Sequence, residues 1–206
     1  MDCRVIAISR TLGAGADEIG QLAATKLEFR YVNNQVIDWA AERAGVSPVT
    51  IEKTEQTPPL IERILQYLGN ANVEAGHAGY IPPPVEPSAS YERLIERVIR
   101  ETAAAGDVVI VAHGASVPLA GSPGLLRVFI TASPDVRALR MSQEAGVKES
   151  DAAKMVDRSD RARREFLQRF YEVKEELPTR YDIVINTDLI AKETAADLIV
   201  EAARRL

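Results

Sequence analysis

The feature that most constrains this chain is a glycine-containing turn between its first predicted strand and an amphipathic helix. Residues 5–9 form a short apolar run with three β-branched members, and Arg10-Thr11-Leu12-Gly13-Ala14-Gly15-Ala16 follows directly. A strand, turn and helix in this order leave backbone N–H groups exposed at the positive end of the helix dipole, an arrangement that binds phosphate. The helix itself is predicted by apolar residues that recur on one face, namely Ile19, Leu22, Ala23 and Leu27.

The rest of the chain alternates between predicted strands and helices. Short apolar runs at 29–32, 107–112, 126–130 and 182–186 predict four more strands, and helical patterns separate them. Such alternation favours an α/β fold in which helices flank a parallel sheet of about five strands. We therefore predict one domain over 1–206, with the less regular, proline-containing segment 46–90 as a helical insertion.

Composition excludes several classes of function. The net charge of −5 provides no overall attraction to nucleic acid or to anionic lipid, and no apolar run is long enough for a membrane span. The N-terminal residues do not form a signal peptide. Cys3 is the only cysteine, which fits a reducing compartment, and with His77 and His113 as the only histidines a zinc site is not expected. We expect a cytoplasmic protein that binds neither nucleic acid nor membranes; a homodimer is compatible with the sequence.

The turn lacks two side chains of the full phosphate-binding pattern. Ala16 stands where a lysine would contact the β- and γ-phosphates, and Asp17 stands where a hydroxyl would contact Mg²⁺. A carboxylate about 4 Å from a phosphate costs on the order of 4 kcal/mol at an effective dielectric constant of 20. Unless Asp17 and Glu18 point away, they weaken polyphosphate binding. A tight strand-to-helix connection, with both acids complementing the helix dipole, is an alternative interpretation of this turn.

Motifs along the whole chain resemble the cytidylate kinase-like family of P-loop proteins. The similarity lies in residues 7–10, in the turn Gly13-Ala14-Gly15, and in the helix start Glu18-Ile19-Gly20. It continues at 108–115 and 126–130, is greatest over Asp160-Arg161-Ala162-Arg163-Arg164 with Phe170-Tyr171, and ends at 182–187. The turn of this family usually lacks the lysine as well, so Ala16 alone does not exclude nucleotide binding.

The resemblance implies a three-layer P-loop fold, a helical monophosphate-binding insertion and an arginine-bearing lid over about 150–180. It also implies transfer of the γ-phosphoryl group of ATP, with Mg²⁺, to a nucleoside monophosphate such as CMP or dCMP. No tightly bound metal or organic cofactor is expected. The implied phosphate-binding residues are Arg10, Gly13, Ala14, Gly15, Ala16, Asp17 and Glu18, the lid residues are Arg158, Arg161 and Arg164, and the monophosphate region contains Asn33 and His113.

The lid prediction can be tested on its own helical pattern. Phe166, Phe170, Val173 and Leu177 recur at helical spacing and predict an apolar stripe, and Arg161 with Arg164 lies roughly opposite it. Guanidinium groups three residues apart can bind phosphate oxygens. A solvated basic face paired with Asp157, Glu165 and Glu172 is the alternative.

Four positions depart from the pattern of the family. Asn33 replaces an aspartate, Ala112-His113 replaces a Gly-Arg pair, and Asp17 replaces a residue that is often arginine or polar. These changes remove positive charge or a Mg²⁺-binding acid. His113 could still contact phosphate if protonated, or could be a neutral histidine at a strand end.

Three functions therefore fit the sequence. The first is a cytidylate kinase-like phosphotransferase. The second is a catalytically impaired P-loop domain that binds a nucleotide or another anionic ligand as a sensor or interaction module. The third is a P-loop kinase that acts on a different small substrate, so the expected partner is a nucleotide or another phosphorylated small molecule.

Overall fold

The computed structural model describes residues 3–33, 36, 38–40, 88–111 and 114–206. Most of the predicted insertion, 46–87, lies outside the described residues, as does His113. Val36 and residues 38–40 are helical, in agreement with the helix predicted there.

Five strands and five α-helices follow one another along the described residues. The strands are β1 (Val5–Arg10), β2 (Arg30–Val32), β3 (Val108–Val111), β4 (Leu125–Thr131) and β5 (Ile183–Asn186). The helices are α1 (Ala16–Leu27), α2 (Ser88–Ala104), α3 (Pro134–Ala145), α4 (Glu149–Tyr171) and α5 (Lys192–Arg204), with a 3₁₀ turn at Pro178–Arg180. All five predicted strands are confirmed, with bounds that differ by at most one residue.

The strands form one parallel sheet in the order β2-β3-β1-β4-β5. Because β1 is the central strand, its carboxyl end at Arg10 lies between the carboxyl ends of β3 and β4. Ile8 pairs with Val111 of β3 and with Val128 of β4. Ligands of open α/β sheets bind beyond the carboxyl ends of the strands, at the point where the strand order reverses. The turn predicted from the sequence lies at this point.

Two apolar cores cover the two faces of the sheet. Successive side chains of β1 alternate between them: Ile6 and Ile8 pack with α1 and α5, whereas Val5 and Ala7 pack on the face covered by α2. All four β3 residues are fully buried, as expected for a strand covered on both sides. Trp39 packs against the second core.

Helix α1 lies unusually close to the sheet beneath it. Ile19 and Ala23 are fully buried, and a β-carbon placed on Gly20 would lie 2.7 Å from Cγ2 of Val111. The predicted apolar face of this helix is thus confirmed, since Leu22 and Leu27 also pack on the same core. This close packing fixes where the N-terminus of α1 begins relative to the end of β1.

The predicted apolar stripe of the lid is wrong beyond residue 171. Helix α4 ends at Tyr171, and Glu172 takes a left-handed conformation (φ 55°) that stops the helix. Val173 is therefore outside the helix, where it is buried, and Leu177 is exposed. Helical spacing could not show this end, because the sequence has no glycine or proline there.

No helix within the described ranges is both long and apolar enough to cross a membrane.

Candidate phosphate-binding site

The loop from Arg10 to Ala16 turns sharply at two glycines. Gly13 and Gly15 have φ angles of 79° and 77°, in the left-handed region that residues with a β-carbon disfavour. At Gly13 there is also no space, because an added β-carbon would lie 2.9 Å from the carbonyl oxygen of Arg137. Both glycines are therefore required by the shape of the loop.

Three consecutive carbonyl groups of the loop accept hydrogen bonds from α3 and from the end of β5. Arg137 Nη1 lies 3.4 Å from the oxygen of Leu12, Arg140 Nη1 lies 3.4 Å from that of Gly13, and Thr187 Oγ1 lies 3.0 Å from that of Ala14. In a trans peptide, the N–H of the next residue points opposite to the carbonyl. The amides of Gly13 and Gly15 consequently face away from these donors.

Those amides have no acceptor in the described part of the chain. The N–H of Ala14 bonds to the carbonyl of Thr11 at 3.2 Å, whereas Gly13, Gly15 and Ala16 make no such bond among the described residues. Ala16 begins α1, and the first N–H groups of a helix have no partner within the helix. Together they form a set of free donors at a helix N-terminus, where the dipole favours an anion.

Arg137 ties this loop to the fourth helix through a buried ion pair. Its side chain is 4% exposed and contacts both carboxylate oxygens of Asp160, at 2.9 and 2.7 Å. Its Nε donates to the carbonyl of Ala132 at 3.0 Å. One guanidinium thus links the end of β4, the loop and α4. Its role here is structural, since none of its charge is left for a ligand.

Arg140 places a positive charge beneath the loop. It donates to the carbonyl of Thr187 at 2.6 Å and to its hydroxyl at 3.0 Å. No carboxylate lies within ion-pair distance of Arg140 among the residues that the structure describes. An arginine held by neutral groups keeps its charge uncompensated, and this charge favours an anion at the loop.

The Asp17 carboxylate is held by two neighbours, Tyr31 and Arg10. The Tyr31 phenol donates to its Oδ1 at 3.0 Å, and Arg10 Nε lies 3.5 Å from its Oδ2. Burial and the nearby carboxylate raise the pKa of Tyr31, while a hydrogen bond from Asn33 opposes this shift. Asp17 and Asn33 are therefore joined through Tyr31. Because the carboxylate is already compensated, the repulsion expected from the sequence is reduced.

Arg10 has one donor with no hydrogen-bond partner. Its Nε is shielded from solvent and makes no hydrogen bond within the described residues, since its contact with Asp17 is too long and poorly directed. Buried donors without partners are uncommon and often mark a place where a ligand or an ordered water binds. Arg10 is one of the residues predicted to bind phosphate.

Glu18 is paired with a residue of the last helix. Its carboxylate pairs with Nζ of Lys192, the first residue of α5. Ala16 is buried, with 2% exposure, and has no polar group to offer. Both acids that follow the turn thus have a cationic partner, which the linear pattern did not reveal.

An open cleft of 260 Å³ lies over this loop. A pocket for a complete small ligand usually has about 300 to 1,000 Å³, so this cleft holds only part of a nucleotide-sized ligand. Glu144 and Met141 of α3 form its far wall, and its remaining lining is Arg10, Thr11, Leu12, Gly13, Gly15, Ala16, Asp17 and Glu18. Six of the seven predicted phosphate-binding residues therefore border one space; the seventh, Ala14, is buried behind it.

The three predicted lid arginines lie on the exposed side of α4. Arg161 is 60% exposed and pairs with Asp157 one turn earlier, as the solvated-face alternative expected. Arg158 and Arg164 are exposed and have no ion-pair partner among the described residues. Arg164 lies one turn after Asp160, and residues four apart share a helix face. Arg164 therefore lies on the same side of α4 as Asp160, which contacts Arg137.

Arg163, which was not among the predicted lid residues, is partly buried instead, with a side chain that is 17% exposed. Its Nε lies 2.8 Å from Oε2 of Glu176, and its guanidinium lies 5.8 Å from the Phe129 ring centre. Tyr181 stacks on the same ring at 5.1 Å and donates to Glu176. This cluster fixes the second half of α4 against β4, so arginines adjacent in sequence have different environments.

Four important residues of the site were not predicted. Arg137, Arg140, Thr187 and Lys192 come from α3, from the end of β5 and from the start of α5. The spacing of Arg137 and Arg140, one helical turn apart soon after a buried strand, was an available signal. No sequence signal marks Lys192 as a site residue, because a lysine near the start of a predicted helix has no special pattern.

Among the described residues, no group of three or more histidine, cysteine, aspartate or glutamate side chains could hold a metal ion. Asp17 has the oxygen ligands that Mg²⁺ prefers, but they are occupied by Tyr31 and Arg10.

The parallel five-stranded sheet and the amide-lined loop after its central strand define the P-loop kinase fold. A sequence model described as the cytidylate kinase-like family matches residues 5–189. The chain belongs to this family, as its motifs indicated.

Solved structures agree with this fold. An uncharacterized protein from Eubacterium ventriosum is 18% identical, with a TM-score of 0.67 over 97% of this chain and 98% of the other. Shikimate kinase from Bacteroides thetaiotaomicron is 16% identical, with a TM-score of 0.51 over 97% of both chains. The Acinetobacter baumannii shikimate kinase, solved with shikimate, is 11% identical, with a TM-score of 0.51 over 97% of this chain and 92% of the other. No curated protein matches the sequence significantly. At these identities the structures support the fold alone.

Proposed function

We propose that this protein is an ATP-dependent phosphotransferase whose acceptor is a nucleoside monophosphate of the CMP or dCMP type. In this reaction an oxygen of the acceptor phosphate forms a bond to the γ-phosphorus of ATP. The bond from that phosphorus to the β–γ bridging oxygen breaks, and ADP leaves with the electron pair. Such transfer depends mainly on positioning and charge neutralisation, which a loop of this kind supplies.

The observation that carries the proposal is the set of free amides at Gly13, Gly15 and Ala16. The carbonyls of Leu12 and Ala14, which share peptide groups with the amides of Gly13 and Gly15, are held from the opposite side, and the carbonyl of Gly15 accepts from Ile19 within α1. The donors are therefore fixed before a ligand arrives. Donors that need no reorganisation stabilise developing charge efficiently. The uncompensated charge of Arg140 and the unpartnered Nε of Arg10 act in the same direction. Mg²⁺ would arrive with ATP and would neutralise charge on the β- and γ-phosphates.

A second candidate is a P-loop domain that binds a nucleotide without transferring its phosphate. It is favoured by Ala16 and by Asp17, because neither a lysine nor a hydroxyl extends from the first turn of α1. Asn33 also contacts Tyr31 rather than presenting an acid at the end of β2. Both candidates require nucleotide binding at the loop and differ only in turnover.

Calorimetry and an ADP-release assay distinguish these candidates. We expect ATP with Mg²⁺ to bind, and CMP or dCMP to stimulate ADP release above the rate without acceptor. Binding of ATP with no turnover for any nucleoside monophosphate would select the second candidate. A folded protein that binds no nucleotide at millimolar concentration would exclude both.

The lid prediction has its own test. We expect Arg164→Ala to weaken ATP affinity by about tenfold, the order for a lost charge-assisted hydrogen bond, and Arg161→Ala to have a smaller effect because Asp157 already holds that side chain. Arg100→Ala is the matched control, since Arg100 forms an exposed pair with Glu96 at the same spacing on α2. If calorimetry shows all three variants binding ATP like the parent protein, the cluster is a solvated face.

A further inference from the structure

Lys192 lies directly against the second glycine of the loop. A β-carbon placed on Gly15 would be 3.1 Å from its Cε and 3.7 Å from its Cδ and Cγ. Its ammonium group pairs with Glu18, which borders the cleft. A lysine of the last helix therefore brings its charge to the part of the loop where Ala16 provides none.

The geometry of the two helices explains why this lysine reaches the loop. Lys192 pairs with Glu18, and Lys26 pairs with Asp197, a pair that lies about two turns further along α1 and about one and a half turns further along α5. Because the later residues of α1 meet the later residues of α5, the helices run in the same direction. Their N-termini consequently lie at the same end, beside the loop, where two helix dipoles favour an anion.

The position of Lys192 is not explained by the stability of its own helix. It is the first residue of α5, where a positive charge opposes the helix dipole, whereas Lys26 lies in the last turn of α1, where a positive charge is favourable. Joining the two helices also does not need a lysine at this end, since the Lys26–Asp197 pair joins them already. A bound polyphosphate would remove the conflict, because it would supply negative charge to both the helix end and the lysine.

We propose that Lys192 supplies the ammonium group that the loop lacks, turning from Glu18 to the polyphosphate of a bound nucleotide. This proposal rests on the proposed nucleotide-binding function. The exchange is feasible because the Lys192 and Glu18 side chains are 37% and 58% exposed, and pairs this exposed contribute little to stability. A polyphosphate carries several negative charges and is therefore a stronger partner for the ammonium group than one carboxylate. Glu18 holds the lysine beside the loop until a nucleotide binds.

The test compares Lys192→Gln with Lys26→Gln, which removes the other pair between the same two helices. Calorimetry should show at least tenfold weaker binding of ATP to Lys192→Gln, a smaller loss for AMP, and no change for Lys26→Gln. Glu18→Gln should tighten ATP binding several-fold, because it removes both the competing carboxylate and its repulsion of phosphate. Thermal unfolding of each variant verifies that all three proteins are folded.

Different results would overturn the two proposals. If the parent protein binds ATP and Lys192→Gln binds it equally well, the role of Lys192 is refuted and nucleotide binding stands. Equal losses for ATP and AMP, or equal losses in the Lys192 and Lys26 variants, would also refute it. If the folded parent protein binds no nucleotide, the proposed function fails, and the role of Lys192 fails with it.

Discussion

Replacing Arg137 with methionine should destabilise the protein far more than the same change at an exposed arginine of the adjacent helix. The guanidinium of Arg137 is 4% exposed and makes four hydrogen bonds, two to Asp160, one to Ala132 and one to Leu12. Methionine replaces the unbranched stem of the arginine side chain, lacks its guanidinium and therefore removes all four bonds. Asp160 then becomes a carboxylate without its partner.

The expected loss in the free energy of unfolding follows from the exposure of Arg137 and Asp160. Removing one member of a buried ion pair costs about 3–5 kcal/mol, because the other charge is left uncompensated. Asp160 is 24% exposed, so water recovers part of that cost and places the expected loss near the lower limit, about 3 kcal/mol. Arg161→Met removes an exposed pair with Asp157, for which about 0.3–0.5 kcal/mol is expected.

Urea denaturation, monitored by circular dichroism, measures the loss in unfolding free energy for Arg137→Met and for Arg161→Met. With a slope of about 2–3 kcal/mol per molar, the Arg137→Met midpoint should fall by about 1 to 1.5 M while the slope stays unchanged. A double-mutant cycle with Asp160→Asn should show a coupling energy of at least about 1 kcal/mol. If Arg137→Met costs no more than Arg161→Met, the ion pair does not anchor α3 to α4, and our account of the loop is wrong.

Two further predictions concern the loop glycine and an ion pair of the sheet edge. Gly13→Ala should lower the free energy of unfolding by about 1–3 kcal/mol more than Gly121→Ala, as measured by thermal or urea unfolding. Both glycines have a left-handed φ, but only Gly13 faces a carbonyl oxygen, at 2.9 Å from the added β-carbon. Equal losses for the two variants would contradict this close approach. Hydrogen bonds from Arg127 lower the pKa of Asp182 below its ordinary 3.8. A carboxyl whose pKa is lower in the folded protein than in the unfolded chain stabilises the folded state at pH values above the unfolded-state pKa. The parent protein should therefore be more stable than Asp182→Asn by a constant amount at neutral pH, and this difference should shrink as the pH falls below 3.8. Urea unfolding across this range tests it, and an advantage that persists in acid would refute it.

The backbone conformation of the site was predictable from the sequence, because glycine is the residue that readily adopts a left-handed φ. Gly13 and Gly15 are placed between a strand and a helix, and only their missing β-carbons permit the observed turn. Strand positions were predictable for a similar reason, since buried parallel strands are continuous apolar runs. Helix ends were less predictable: α4 ends at Glu172, where the sequence has no stop signal.

The electrostatics of the site were not predictable, because charges compensate one another across large distances in the chain. From the linear pattern, Asp17 and Glu18 oppose phosphate binding. In the structure Asp17 meets Arg10 seven residues away, while Glu18 meets Lys192, 174 positions later. Which arginines of α4 are available also depends on packing, since Arg163 is partly buried and paired with Glu176.

The sequence by itself determined the α/β class, the order of the strands along the chain, and the position of the phosphate-binding loop, because these depend on local periodicity and on the properties of glycine. Only the tertiary structure decided what surrounds that loop. Arg137, Arg140 and Thr187 hold its carbonyls, and Lys192 brings a charge to Gly15. These contacts arise from the parallel order of the strands and from α1 and α5 lying side by side, which bring distant segments together at one end of the sheet.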